Sequence, residues 1–314
     1  MNCSGHTGIE FPLISLHRMK ISSKELNDKI NWTLNQKIDH SLYIIDSFHA
    51  MYPDSKISFS GGVDSTVMLH LVKIIDKDKI PVFSNTTNEF SEILRFVKTI
   101  ENIEIVHPNT TFIKTVNKYG FPLISKKVAK MIATLRDPGP HNEASRKLYL
   151  TGIKRDGTKS KYFKLPKKYR YLIDVPFDVT NKCCDILKIN PLRPFRKNGM
   201  LVGTMATDSF TRRYAYLQTG CINIIKHTCS PLSIWTKENI WEFIKQNNVR
   251  YCDIYDKGES YTGCAYCGFG IMFDKTRFER LKEREPKRYN QMMNIKNNGI
   301  TYEEALKILL HGTK

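Results

Sequence analysis

Two sets of residues in this chain have the types and spacing to do chemistry. The first is Ser60-Gly61-Gly62-Val63-Asp64-Ser65-Thr66, which follows the alternating run Lys56-Ile57-Ser58-Phe59 and precedes the apolar Val67-Met68-Leu69-His70-Leu71-Val72. Strand, glycine turn and helix opening form a phosphate site: the glycines let backbone approach an anion, first-turn amides point at it, and the hydroxyls of Ser60, Ser65 and Thr66 add donors. No Lys follows the glycines, which excludes the Walker-type loop. The second set is the pair Cys183-Cys184 and, beyond seventy-nine intervening residues, Cys264-Ala265-Tyr266-Cys267 in a glycine-rich turn. Four thiolates suit zinc or an iron–sulfur cluster, and spacing alone does not choose between them. Cys221, Cys229 and Cys252 read as small buried hydrophobes or as spare thiols.

The elements around these residues alternate strand and helix. Apolar runs at 56–59, 80–85 and 103–106 read as strands, separated by helical stretches after the glycine loop and at 91–100. Such alternation predicts parallel βαβ units whose right-handed crossovers bring the strands' carboxyl ends to one ligand-binding edge. A helix, with a break, is expected over 22–52; a further strand over 200–205; a last strand from 222–225 and 230–235; and a helix over 237–247. The predicted architecture is α/β, a five-stranded parallel sheet with flanking helices. Its division is an N-terminal helical extension (1–39), a nucleotide-binding domain (40–236) with a basic insertion around 111–199, and a helical C-terminal region (237–314) that folds back so that the CxxC meets Cys183-Cys184. Residues 1–20 show no period and are assigned no role.

Composition sets the class. Hydrophobic residues make up 41% and aromatics 11%, which is globular, and no apolar stretch is long enough to cross a membrane. Without a basic-then-apolar N-terminus, the expectation is a soluble cytoplasmic protein with no membrane partner. Forty-nine Lys and Arg against thirty-one Asp and Glu give a formal charge of +18, which suits a polyanionic partner and equally a Lys-rich genome. Lys154, Arg155, Lys159, Lys161, Lys164, Lys167, Lys168 and Arg170 interleave with Tyr162, Phe163 and Tyr169. That mixture could track a phosphate backbone and stack bases, or form a solvated helical face.

The SGGxDS pattern resembles the PP-loop of the ATP pyrophosphatase superfamily, which includes the phosphoadenosine phosphosulfate (PAPS) and adenosine phosphosulfate (APS) reductases and nucleic-acid thiolation enzymes. The CC…CxxC spacing, with TGCxxCxFG and the following Arg277-Phe278, Leu281-Lys282, Pro286-Lys287 and Tyr289, is similar to the 4Fe-4S signature of APS reductases and of Dnd-type phosphorothioation and phage-encoded relatives. The resemblance covers about residues 50–290. It implies a Rossmann-like, adenine nucleotide alpha hydrolase-like fold and a 4Fe-4S cluster on Cys183, Cys184, Cys264 and Cys267, with Lys182 and Lys188 offsetting its charge. It also implies ATP on Ser60, Gly61, Gly62, Val63, Asp64, Ser65 and Thr66, with Mg²⁺ assisted by Asp64. Asn85, Thr86 and Glu89 would lie near the nucleotide, although the same residues would serve as a helix N-terminus. Ala206-Thr207-Asp208-Ser209-Phe210-Thr211-Arg212 resembles the family's ESxxR element: Arg212 would be a phosphate-facing catalytic cation, with Asp208 one methylene shorter than the usual Glu.

The activity implied is ATP-dependent adenylation in nucleic-acid sulfur modification, with DNA or tRNA as substrate, a cysteine desulfurase as upstream donor, and a homodimer left open. Sulfonucleotide reductases attack with a Cys in a C-terminal Glu-Cys-Gly motif, and no Cys follows Cys267 here. A reductase using Cys221, Cys229 or Cys252, and a non-catalytic cluster-bearing binding module, are the alternatives.

Overall fold

The computed structural model describes residues 20–311; Cys3 and nearly all of the stretch without an assigned role lie outside the described residues. The chain enters through α1 (Ser23–Ile30) and α2 (Leu34–Met51). The expected break falls at Asn31, and α2 restarts on a capping box in which Thr33 and Gln36 satisfy each other's amides. β1 (Lys56–Ser58) leads through the glycine loop into α3 (Val63–Ile75). β2 (Pro81–Ser84), α4 (Ser91–Val97) and β3 (Glu104–Val106) add two parallel strands on one side of β1.

Between β3 and the next sheet strand the chain makes a long excursion: α5 (Phe112–Tyr119), β4 (Leu123–Ile124), α6 (Lys126–Arg136), α7 (Glu143–Thr151), α8 (Lys182–Cys184) and α9 (Asn190–Leu192). It returns as β5 (Met200–Val202), α10 (Phe210–Thr219), the hairpin β6 (Ile222–Asn223) and β7 (Thr228–Cys229), and α11 (Lys237–Gln246). β8 (Gly268–Phe269), α12 (Arg277–Arg284), α13 (Pro286–Met293), the hairpin β9 (Lys296–Asn297) and β10 (Ile300–Thr301), and α14 (Tyr302–His311) close it.

The central sheet runs β3-β2-β1-β5-β7-β6. Five strands are parallel, as the alternation predicts; the sixth, β6, is an antiparallel edge contributed by the hairpin with β7. The strand expected at 230–235 is instead a turn that packs Trp235 into the core. Its indole donates to Ser41 Oγ at 2.9 Å, and that hydroxyl donates to the Pro231 carbonyl. α3 is buried along most of its length through Val67, Met68, Leu71 and Val72; each such side chain contributes about 1.5–3 kcal/mol.

A second, two-stranded ladder joins the excursion to the C-terminal region. Leu123 pairs with Gly268 and Ile124 with Phe269, in parallel. Just upstream Phe121 exchanges bonds with Asp178 and Thr180. This one segment is thus bonded on one side to the chain leading into Cys183 and on the other to the chain leaving Cys267. Gly120 makes the close approach: its φ is +97°, and a Cβ there would stand 2.2 Å from the Asp178 carbonyl oxygen.

Candidate functional site

The glycine loop sits at the carboxyl end of β1. Gly61 takes φ +75°, and a Cβ on it would meet Ile93 at 2.9 Å, so the turn needs glycine on both counts. Ser65 ties the loop down: its hydroxyl lies 3.0 Å from Ser60 Oγ, receives the Ser60 amide at 3.2 Å and donates to the Gly62 carbonyl at 2.9 Å. Thr66 donates to the same carbonyl at 3.0 Å. These two hydroxyls serve the loop's shape. The Val63 amide, at the first turn of α3, donates to the Tyr255 hydroxyl at 3.0 Å, and that hydroxyl lies 3.1 Å from Thr262 Oγ1. Asp64 is paired with Lys237, whose Nζ lies 2.5 and 2.7 Å from its two carboxylate oxygens.

The loop after β2 is built around a buried carboxylate. Glu89 Oε1 accepts the Thr86 amide at 3.1 Å and its hydroxyl at 2.6 Å, while Oε2 accepts the Asn88 amide at 3.2 Å. Asn85 Oδ1 accepts the amide of Thr87, which takes φ +64°. α4 starts at Ser91 with Phe90 before it and no side-chain cap, so Glu89 and its neighbours are not serving as a helix cap. They instead hold the CxxC turn. Asn88 accepts the Ala265 amide on its carbonyl and the Tyr266 amide on Oδ1, and Thr86 Oγ1 lies 3.6 Å from Cys264 Sγ.

The Cys183-Cys184 segment is anchored to the same sheet edge. α8 passes through a π turn (Asp185–Ile189) into α9, where Pro191 has no amide to donate to the Leu187 carbonyl. The Ser84 hydroxyl, at the end of β2, takes that carbonyl at 2.9 Å. Cys183 is buried and Cys184, Cys264 and Cys267 are partly buried; all are free thiols. They feel one another electrostatically: Cys184, Cys267 and Cys264 all act on Cys183. Within the adjacent pair the Cys183 thiol donates to Cys184, which raises Cys183 and lowers Cys184; Lys126 and Lys188 lower Cys184 further. Burial raises Cys264 and pushes Cys267 up to about 12. Lys188 faces Cys264, whose charge, with Tyr261, Glu89 and Cys184 adding, raises the ammonium above its ordinary value against the cost of burial.

Ser60 of the glycine loop and the turn leading into Cys264 line one space, and none of the four cysteines is among its lining residues. A cavity of about 90 Å³ is lined by Ser58, Phe59 and Ser60 from β1 and the loop, by Phe83, Ser84 and Glu89, by Lys188 and Leu192, and by Thr262-Gly263 immediately before Cys264. Among the described residues no three His, Cys, Asp or Glu side chains are close enough to hold a single metal ion. The chemistry of the donors suits a 4Fe-4S cluster, which spreads its ligands around a larger body: four thiols of which three act electrostatically on Cys183, Lys126 and Lys188 acting on Cys184, and a buried Asn88 side-chain nitrogen without a hydrogen-bond partner.

Arg212 lies elsewhere. It pairs with Asp208 one turn back and lines a second cavity, of about 130 Å³, with Lys226, Thr204, Ser230 and Cys221. Cys221, Cys229 and Cys252 are buried, and desolvation raises all three thiols, to about 12 for Cys221 and about 11 for Cys252. That is the environment of inert cysteines, and it counts against their use as a nucleophile. Tyr255, Thr262 and Lys237, which complete the loop, carry no sequence signal of their own; each reaches it from the C-terminal region.

Comparison with known proteins matches residues 55–166 and 154–269 to the phosphoadenosine phosphosulfate reductase domain. The chain belongs to the phosphoadenosine phosphosulfate reductase family. It is similar to an uncharacterized protein of Methanocaldococcus jannaschii, 24% identical over 277 residues, 85% of this chain and 54% of that protein. An adenosine 5'-phosphosulfate reductase of Bacillus cytotoxicus is 20% identical over 249 residues, 76% of this chain and 84% of that enzyme. A second such reductase, from Anoxybacillus flavithermus, is 32% identical over 93 residues, 28% of this chain and 38% of the enzyme. The chain thus spans about half the archaeal relative's length. Among solved structures, the PAPS reductase from Candida auris in a phosphate complex aligns with a TM-score of 0.40 at 12% identity, covering 79% of this chain and 98% of that one. Among the described residues no helix of this family member is long and apolar enough to cross a membrane.

Proposed function

We propose that this chain is an ATP-dependent adenylating enzyme of nucleic-acid sulfur modification, thiolation or phosphorothioation, that cleaves ATP to AMP and pyrophosphate. The observation that carries the reading is the shared cavity between the glycine loop and the turn leading into Cys264. A nucleotide with its phosphates on Gly61, Gly62 and Ser65 would share that cavity with the thiol-bearing turn. An oxygen of the target would attack the α-phosphorus, the bond to the bridging oxygen would break, and pyrophosphate would leave with the electron pair. The loop amides would stabilise the charge that develops, and Lys188 adds a fixed cation to the same space. Asp64, released from Lys237, would hold Mg²⁺, which would offset phosphate charge. A 4Fe-4S cluster on Cys183, Cys184, Cys264 and Cys267 would supply a site for delivery of sulfur, with a cysteine desulfurase as the upstream donor. After a thiol or electron-carrier reductant supplies two electrons to the donor's persulfide, the sulfide released would bond to the adenylated atom, the bond from that atom to the AMP oxygen would break, and AMP would leave with the electron pair.

A nucleic-acid substrate is supported by charge and exposure. Lys154, Arg155, Lys159, Lys161, Lys164, Lys167 and Lys168 are all exposed; residues 152–166 form no helix whose solvated face would explain the first five, while Lys167 and Lys168 open a short 3-10 helix. The second reading, a sulfonucleotide reductase-like enzyme, is favoured by the match to the B. cytotoxicus reductase across most of that enzyme's length. Anaerobically purified protein, given ATP with DNA, tRNA or neither, decides between them. Pyrophosphate release stimulated by one polymer supports the proposal and names the substrate. Sulfite release from PAPS or APS establishes the second reading. Salt-sensitive polymer binding without turnover leaves a cluster-bearing binding module.

A further inference from the structure

Three exposed aromatic rings meet where the basic excursion touches α10. Phe210, at the start of α10, is 65% exposed, Phe163 is 42% and Tyr162 is 40%. The Tyr162 ring lies 5.2 Å from that of Phe210 and 5.0 Å from that of Phe163, centroid to centroid. Its hydroxyl is 3.3 Å from Thr211 Oγ1, which fixes the excursion to the helix. The Lys127 ammonium sits 3.2 Å from the centre of the Tyr162 ring, so that ring is occupied by a cation and Phe210 presents the freest face. Tyr214, one turn along α10, is 56% exposed and extends the apolar strip.

Exposed rings on this scale have an interaction cost in water and mark a binding surface. The rim decides the partner. Lys161 and Lys164 flank the rings in sequence and are exposed, and Lys154, Arg155, Lys159, Lys167 and Lys168 continue the charge. A second copy of this chain would bring a like-charged rim against it. A polyanion with flat apolar faces meets both requirements, and nucleobases offer such faces only when unstacked. The surface also adjoins the thiols: Lys126, next to Lys127 on α6, holds Asp185, the residue after Cys184, at 3.0 Å.

We infer that Phe210, backed by Tyr162 and Phe163, forms a stacking platform for an unpaired base, so that the polymer is engaged as a single strand. The inference rests on the nucleic-acid reading above and sharpens it. Aromatic–base stacking loses roughly ten- to a hundred-fold in affinity per base when the ring is removed. Because the lost contact is uncharged, the dependence of affinity on salt stays the same.

The test is fluorescence anisotropy of the full chain with labelled single-stranded and duplex oligonucleotides of one sequence, across a salt series. The variants are Phe210→Ala, Tyr162→Leu and, as an exposed control on the far end of α3, Ile74→Ala. The expected result is tighter binding of the single strand, about tenfold or greater loss for Phe210→Ala with an unchanged salt slope, and no change for Ile74→Ala. Equal affinity for duplex and single strand, or wild-type binding by both aromatic variants, overturns the platform. If both aromatic variants bind like the wild type while polymer-stimulated pyrophosphate release persists, only the platform falls. If no oligonucleotide binds at low salt, the nucleic-acid reading falls with it.

Discussion

The Tyr255 hydroxyl accepts the Val63 amide at 3.0 Å, so a protein oxygen takes the first-turn amide of α3 that an incoming phosphate would use. Ligand binding at this loop therefore exchanges one acceptor for another. Tyr255→Phe leaves the amide open, and a typical net hydrogen bond is about 0.5–1.5 kcal/mol. Nucleotide affinity, measured by calorimetry, is expected to rise about two- to tenfold. A fall instead would mean that the hydroxyl itself contacts the ligand.

Gly62 faces the same two residues. A Cβ there would lie 2.5 Å from Thr262 Oγ1 and 3.2 Å from the Tyr255 hydroxyl. Gly62→Ala is expected to push the C-terminal turn off the loop, at a stability cost of about 1–3 kcal/mol. Nucleotide binding should fall with it. Thr262→Ala removes the nearer atom, and the double variant should recover part of the loss in a denaturation midpoint.

The cysteines divide into two groups by environment. Replacing Cys183, Cys184, Cys264 or Cys267 with Ser is expected to lower the iron and acid-labile sulfide content of anaerobically purified protein. Cys229→Ser and Cys252→Ser should keep that content and show only the stability cost of a polar atom in an apolar site, on the order of 1–3 kcal/mol. Equal loss of iron in both groups would contradict the assignment.

His40 gives the fold a pH dependence. Burial, with Lys29 adding, pushes its pKa down to about 4 from 6.5; Trp32 packs edge-on and Cys221 Sγ lies 3.8 Å away. Between those two values the unfolded chain binds a proton that the folded chain does not, so this contribution is complete above pH 6.5 and is lost as pH falls. The full effect is about 3 kcal/mol at roughly 1.4 kcal/mol per unit. Urea midpoints at pH 7.5 and 4.5 should differ by more in the wild type than in His40→Phe.

Much of the sheet edge around the glycine loop was legible in the sequence because it is local. β1, the glycine loop and α3 are consecutive, and the short apolar runs that became β2 and β3 alternate with helices. The antiparallel edge was not legible, since the two-residue strands β6 and β7 carry too short a pattern to show a reversal. The pairing of β4 with β8 was hidden for a related reason: each strand is two residues long, and the ladder forms only when distant chain is in place. The resemblance implied Asn85, Thr86 and Glu89 near the nucleotide; Glu89 does line the cavity, while Thr86 also reaches Cys264. Arg212, expected on the phosphates, faces a different cavity. Lys237 on Asp64 is a contact across 173 positions, and no local pattern announces it.

In the proposed function, a nucleotide on the glycine loop lies against the turn that leads into Cys264, so its binding is felt at a cluster held by Cys183, Cys184, Cys264 and Cys267. The most direct measurement is a titration of the anaerobic, iron-containing protein with ATP, following the visible and electron paramagnetic resonance spectra alongside calorimetry. The account predicts a saturating spectral change at the same midpoint as binding, abolished in Gly62→Ala. A protein that carries no iron, or a spectrum that stays constant while calorimetry shows the site filled, would contradict it.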